Sequence, residues 1–440
     1  MKVYFSSLGC DKNLSDTEHM LFLLSKAGYE FTDDETDADV IIVNSCCFIG
    51  DAQEESIEEI LRLSREKETG RCRALIVTGC LSERFQNEFE AELPEVDGIL
   101  GISSWDEIVS VTEAALKGEH PHVFKDRNRM CTSAGRIVTT GGYYAYLKIA
   151  EGCDKYCTYC IIPYVRGSYR SIPAEDLLSE AEKLAENGVR ELILVAQETT
   201  LYGTDLYGKK MLPELIRKLS AIDGIHWIRL LYCYPEEITQ ELAETIRDCE
   251  KVVPYLDIPI QHIADSVLKR MNRRTTKEEL LERLRFLRDT IPGLTLRTTL
   301  ITGFPGETDE EFNELLSFVK TAKFERLGVF PYSKEDGTAA AKLKGQIPKK
   351  VKLSRRDAIM KAQQKISLQY GRDQIGKVRE VLVEGRLVSE NNVYIGRTAS
   401  DAPGVDGQVF FESGRELISG DFVHIRITRA EAYDLYGELV

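Results

Sequence analysis

Short apolar runs alternate with amphipathic stretches through the first part of the chain: VYFSSLGC from Val3, DADVIIVNSCC from Asp37 and ALIVTGC from Ala74. Helical periodicity lies between them, near residues 16–27 and 53–66, and again after Cys80. This alternation predicts a parallel α/β domain. The polar, glycine-bearing stretch KDRNRMCTSAGRIVTTGG then reads as a linker before YYAYLKIAEGC opens a new apolar run. Strand-like runs recur at RELILVAQ, IHWIRLLYCYP, PYLDIPIQH, LTLRTTLITGFPG and RLGVFPYS, separated by helical patterns such as AEDLLSEAEKLAENG and KEELLERLRFLRDT. Six such strands predict a partial, TIM-like (βα)6 barrel, in which reacting groups sit on the loops after the strands.

After a charged helix near 348–371 come KVREVLVEG, NVYIGRT, GQVFFE and DFVHIRI, broken by turns at DAPGVDG and ISGD. That pattern predicts a small antiparallel β-barrel of the OB-like kind. The expected fold class is therefore α/β with a β-barrel appended. Its domains are 1–125, a linker over 126–141, a central barrel over 142–370 and a terminal module over 371–440.

Composition narrows the function classes. The 440 residues are 43% hydrophobic and 29% charged, as in an ordinary globular chain, and the net charge of −15 disfavours a nonspecific grip on phosphate backbones or anionic membranes. From Arg372 onward, eight Lys and Arg face twelve Asp and Glu, so the terminal module is net acidic. A basic partner is expected. The N-terminal MKVYFSSLGC lacks a signal-peptide core and no stretch of about 18 apolar residues occurs, which predicts a cytoplasmic protein without a membrane partner. Eleven cysteines in a reducing compartment suggest metal ligands, catalytic thiols or buried small hydrophobes rather than disulfides.

Three of them stand in EGCDKYCTYC, where Cys153, Cys157 and Cys160 follow the first barrel strand. Structural zinc needs four ligands, and no histidine lies beside this triplet. A four-iron cluster held by three thiolates instead leaves one iron open to a small bidentate ligand. Cys10, Cys46 and Cys80 form a second set, each where an apolar run ends and a loop begins. Carboxyl ends of neighbouring parallel strands share one sheet edge, so these three can meet in space. Cys46 and Cys47 are neighbours on an extended segment, whose side chains point to opposite faces, so only one of the pair reaches that edge.

The C-x3-C-x2-C spacing, with Tyr159 just before the last cysteine, resembles the radical S-adenosylmethionine superfamily. The triad Cys10, Cys46 and Cys80 ahead of that barrel and a terminal β-barrel is similar to the methylthiotransferases over essentially the whole chain. This resemblance implies two 4Fe-4S clusters, one on each cysteine set, with S-adenosylmethionine as cofactor. It assigns the second ligand to Cys46, through the match to Ser45–Ile49, and implies a TRAM-type terminal barrel. It also implies cofactor contacts from Tyr159, Glu198, Gln261, Arg297 and Gly303, the last in the fifth-strand motif LITGFPGETDEEF.

Within that family, VAQETTLYG, YLDIPIQH, GRTASDAPGVDG and YDLYGELV resemble the branch that modifies an aspartate of small-subunit ribosomal protein twelve. The resemblance implies insertion of a methylthio group at the β-carbon of that aspartate, fed by an electron donor such as flavodoxin or ferredoxin. The net acidic terminal module favours a protein substrate over RNA. Two other readings stay open on sequence alone: a methylthiotransferase acting on an adenosine of transfer RNA, and a non-catalytic two-cluster electron carrier.

Overall fold

Val40–Ser45 and Ala74–Gly79 are buried at every position, the signature of parallel strands covered on both faces. In the computed structural model, which describes residues 1–388 and 392–440, they form the centre of the first of two compact units. Six parallel strands build this unit's sheet: β1 (Lys2–Ser7), β2 (Glu30–Phe31), β3 (Val40–Ser45), β4 (Ala74–Gly79), β5 (Gly98–Leu100) and β6 (His122–Val123). Their order is β2-β1-β3-β4-β5-β6, so β1, β3 and β4 are consecutive neighbours.

Helix α1 (Asp11–Lys26) starts five residues before the expected position, directly after Cys10. Its first turns are polar, which hides them from an apolar-periodicity reading, yet Asn13, Ser15, Asp16, Thr17 and Glu18 are all buried. The stretch read as a linker explains part of that burial. Glu18 accepts hydrogen bonds from Arg136 Nε (2.9 Å), Thr139 N (2.6 Å) and Thr139 Oγ1 (2.9 Å), and the Ile137 amide donates to the Glu18 carbonyl at 3.0 Å. Residues 133–139 thus form a strap bound along α1.

The first unit also takes in Ala150–Arg170 and Ser333–Ala341. Ile161 and Val165 join the same apolar core as Ile41, Val43, Val77 and Leu81, which is why the three-cysteine loop packs here although it follows a barrel strand in sequence.

The second unit holds the other parallel sheet: β7 (Tyr144–Lys148), β8 (Glu191–Val195), β9 (Trp227–Leu230), β10 (Val252–Asp257), β11 (Thr295–Thr302) and β12 (Arg326–Pro331). The strands pair in chain order from β7 to β12 without closing, as a six-stranded partial barrel. The terminal module is a closed five-stranded barrel of β13 (Val378–Arg386), β14 (Val393–Thr398), β15 (Val409–Glu412), β16 (Phe422–Ala430) and β17 (Leu435–Leu439). One point differs from expectation: β15 pairs with β17 in parallel, because the last strand returns on the far side of β16 to close the barrel.

Buried ion pairs fix this module to the parallel sheet. Glu191 at the start of β8 accepts from Arg229 Nε at 2.8 Å and pairs with Arg397 of β14, while Asp401 pairs with Arg326 of β12. The Tyr255 hydroxyl donates to Asp406 at 2.6 Å. Removing one partner of such a buried pair strands the other charge, which is far costlier than losing an exposed pair.

Candidate functional site

Adjacency of β1, β3 and β4 brings the three strand-end thiols to one edge of the first unit. Cys10 is the N-cap residue of α1, Cys46 follows β3, and Cys80 opens the short helix Cys80–Arg84 after β4. Gly9 has φ +90°, and a Cβ there would lie 2.8 Å from Cys46 Cβ and 2.9 Å from its sulfur, so only glycine lets the loop carrying Cys10 approach Cys46 this closely. Fully buried Asn13 ties the loops together, donating through Nδ2 to the carbonyls of Leu8 (3.1 Å) and Ser45 (3.0 Å), while its Oδ1 lies 3.7 Å from the Cys80 sulfur.

Burial pushes the Cys46 and Cys80 thiols above their ordinary value; Cys10 adds to the effect and Arg166 opposes it. A thiolate at this edge therefore needs a positive partner such as bound iron. Cys47 turns the other way. It lies in the apolar core, donates through sulfur to the Cys80 carbonyl at 3.0 Å, and is pushed up to about 12 by burial. The opposite-face argument thus separates Cys46 from its neighbour.

The second set is held on a tight loop. The Cys153 amide donates to the Gly167 carbonyl (3.1 Å), the Cys160 amide to the Cys157 carbonyl (2.9 Å) and the Ala340 amide to the Thr158 carbonyl (2.8 Å). Cys153 and Cys157 are buried, Cys160 is half-buried, and burial raises the Cys160 thiol, helped by Cys157. Tyr159 lies half-buried between the last two cysteines. Among the described residues, no three His, Cys, Asp or Glu side chains are gathered as a single metal ion requires. A four-iron cluster binds each thiolate through a separate iron and so asks for a wider triangle than one ion does.

The remaining candidates lie in the second unit, Glu198, Gln261 and Gly303 beyond the carboxyl ends of its strands and Arg297 as the third residue of β11. Glu198 is buried after β8 and its Oε1 accepts from the Thr200 amide at 2.9 Å. Gln261 follows β10 with φ +69°, unusual for a residue with a side chain, and its buried Oε1 has no hydrogen-bond partner among the described residues. A stranded amide oxygen in a strained backbone is a mark of a ligand site, since leaving it unmet costs about 1–3 kcal/mol. Gly303 has φ +70°, and its amide donates to Glu307 Oε2 at 2.8 Å.

Arg297, expected to contact the cofactor, is held by two carboxylates. Its Nη1 donates to Asp257 Oδ1 at 2.9 Å, and Nε lies 3.7 Å from Asp406. Although burial opposes it, these carboxylates hold the guanidinium charged. Cys233, also at a strand end, is fully buried with its thiol pushed well up by burial and is chemically inert as placed.

Several polar residues were invisible to the sequence reading. Asn13, Glu151 and Arg166 belong to no motif and are polar, yet all are buried. His262 is another. Its Nδ1 accepts from the Ala264 amide (3.1 Å), Nε2 faces Glu307 at 3.8 Å, and burial lowers its pKa from 6.5 to about 3.

Between those values the unfolded chain binds a proton that the folded one refuses, so stability present above 6.5 is lost as pH falls toward 3. Lowering the pH from 7 to 5 should cost about 2 kcal/mol through this residue alone. His262→Gln is expected to flatten that limb, read as a smaller drop in urea midpoint; an unchanged pH slope would refute the assignment.

With both cysteine sets placed, comparison with known proteins decides the family. The radical SAM superfamily profile matches residues 147–319, the uncharacterized protein family UPF0004 matches 2–101, and the TRAM domain matches 375–440. Ribosomal protein uS12 methylthiotransferase RimO of Lachnoclostridium phytofermentans is 55% identical over 438 residues, covering 99% of each chain. The chain belongs to the uS12 methylthiotransferase family.

The family member of Pelotomaculum thermopropionicum is 51% identical over 441 residues, 100% of this chain and 99% of its own. The radical S-adenosylmethionine methyltransferase TsrM of Kitasatospora setae shares the fold at 15% identity, with a TM-score of 0.55 over 74% of this chain and 72% of its own. Methylthiotransferases of this family are radical S-adenosylmethionine transferases that use 4Fe-4S clusters. No helix among the described residues is long and apolar enough to cross a membrane.

Proposed function

We propose that this chain inserts a methylthio group at the β-carbon of an aspartate in ribosomal protein uS12, using Cys153, Cys157 and Cys160 for one cluster and Cys10, Cys46 and Cys80 for the other. Two separate sets of three buried or half-buried thiols in one unit carry this reading. Each set leaves one iron of a four-iron cluster without a protein ligand. When bound, the clusters and S-adenosylmethionine supply the radical that takes a hydrogen atom from an unactivated carbon and the methylthio group that replaces it.

The protein's own part is positioning. The hydrogen bonds of Cys153, Thr158 and Cys160 fix the loop, and Asn13 holds the two loops that lead into Cys10 and Cys46. Glu198, Gln261 and Gly303 are proposed to receive the cofactor's polar groups, with Gln261 Oε1 offering an acceptor that no group among the described residues uses. Arg297 is proposed to order Asp257 rather than to touch the cofactor. We also infer an external one-electron donor of the flavodoxin or ferredoxin type and a cytoplasmic location. The domain division at 125, 142 and 371 belongs to the same proposal.

Asp401 and Asp406 are buried against Arg326 and Arg297, so part of the terminal module's acidic excess is neutralised internally, and Glu390 lies outside the described residues. The overall charge of −15 still favours a basic protein. Binding of purified uS12 should weaken several-fold between about 0.05 and 0.2 M salt, as for other charge-steered pairs. Tighter binding of unmodified transfer RNA than of uS12 in the same titration would overturn the substrate assignment.

A further inference from the structure

Arg166 follows the three-cysteine loop, directly after the short helix Ile162–Val165, and is 1% exposed. Its Nη1 donates to both oxygens of Glu151, at 2.9 and 2.8 Å, two residues before Cys153. Its Nη2 donates to Asn13 Oδ1, and Nη1 lies 3.6 Å from Asp16. The same Asn13 Oδ1 faces the Cys80 sulfur at 3.7 Å, and the Asn13 amide group holds the carbonyls of Leu8 and Ser45. One buried cation is therefore clamped between the entry to the radical-cluster loop and the residue that ties together the strand-end loops.

Resting on the two-cluster reading above, we propose that Arg166 is a positioning residue shared by both cysteine sets, whose fixed positive charge raises the reduction potential of the Cys10, Cys46 and Cys80 cluster. Three thiolates on a four-iron core leave net negative charge, and reduction adds another electron. A buried guanidinium nearby favours the reduced form, because net charge and hydrogen bonding near a cluster set its potential. Glu151 and Asp16 temper the charge, so neutralising Glu151 should act in the opposite direction to neutralising Arg166.

The test uses the full chain, reconstituted anaerobically and titrated with reductant while followed by electron paramagnetic resonance. A Cys153, Cys157 and Cys160 to Ala variant identifies the strand-end cluster's signal. In Arg166→Gln the ratio of reduced to oxidised strand-end cluster at the wild-type midpoint should fall at least tenfold, about 59 mV for one electron. Arg166→Lys should restore most of it, and Glu151→Gln should shift it upward.

An unchanged midpoint in Arg166→Gln overturns the proposal. So does an equal shift in the Lys and Gln variants, or a downward shift in Glu151→Gln, either of which marks a structural role. If the Gln variant does not load iron, the opposed signs expected of Arg166→Lys, slightly down, and Glu151→Gln, up, decide instead. Wild-type protein that binds only about four irons would defeat the two-cluster reading itself.

Discussion

Replacing Cys10, Cys46 and Cys80 together by alanine should lower bound iron from about eight to about four per chain and abolish methylthio insertion, while S-adenosylmethionine cleavage under strong reductant persists. The expectation follows from where these thiols sit. They follow β1, β3 and β4, on loops apart in sequence from the one that carries Cys153, Cys157 and Cys160. The change removes small buried side chains, so loss of fold is not expected to confuse the result, and retained cleavage reports an intact second site. Insertion that survived the triple change would show that sulfur reaches the substrate without this cluster.

The complementary change has a larger effect. Alanine at Cys153, Cys157 and Cys160 should reduce both cleavage and insertion to background, again with about four irons retained. Two other cysteines are unsuited to replace that triplet: Cys47 is committed to the Cys80 carbonyl, and Cys233 is enclosed with its thiol pushed well up. Deoxyadenosine production that continued in this variant would place radical formation elsewhere.

Both sets were legible in the sequence for different reasons. The triplet is a local spacing, and spacing survives in one dimension. The strand-end triad needed a topological step, that runs ending in Cys10, Cys46 and Cys80 become parallel neighbours, and the strand order β1-β3-β4 supplies it. What stayed hidden depends on burial that polarity disguises. DKNLSDTE carries little apolar periodicity, yet it forms the largely buried start of α1, held by a strap that composition alone marks as a linker. The ion pairs of Arg297 stayed hidden for a related reason: its partners Asp257 and Asp406 lie 40 and 109 positions away, and no local pattern announces them. The acidic count of the terminal module likewise could not tell surface charge from charge spent inside.

The most direct measurement is tandem mass spectrometry of purified uS12 after incubation with the anaerobically reconstituted full chain, S-adenosylmethionine, sulfide and reductant. The account predicts a mass gain equal to one methylthio group replacing one hydrogen, localised to the β-carbon of a single aspartate and absent from both triple-alanine variants. Unmodified uS12 alongside a methylthiolated adenosine in transfer RNA from the same reaction would contradict it.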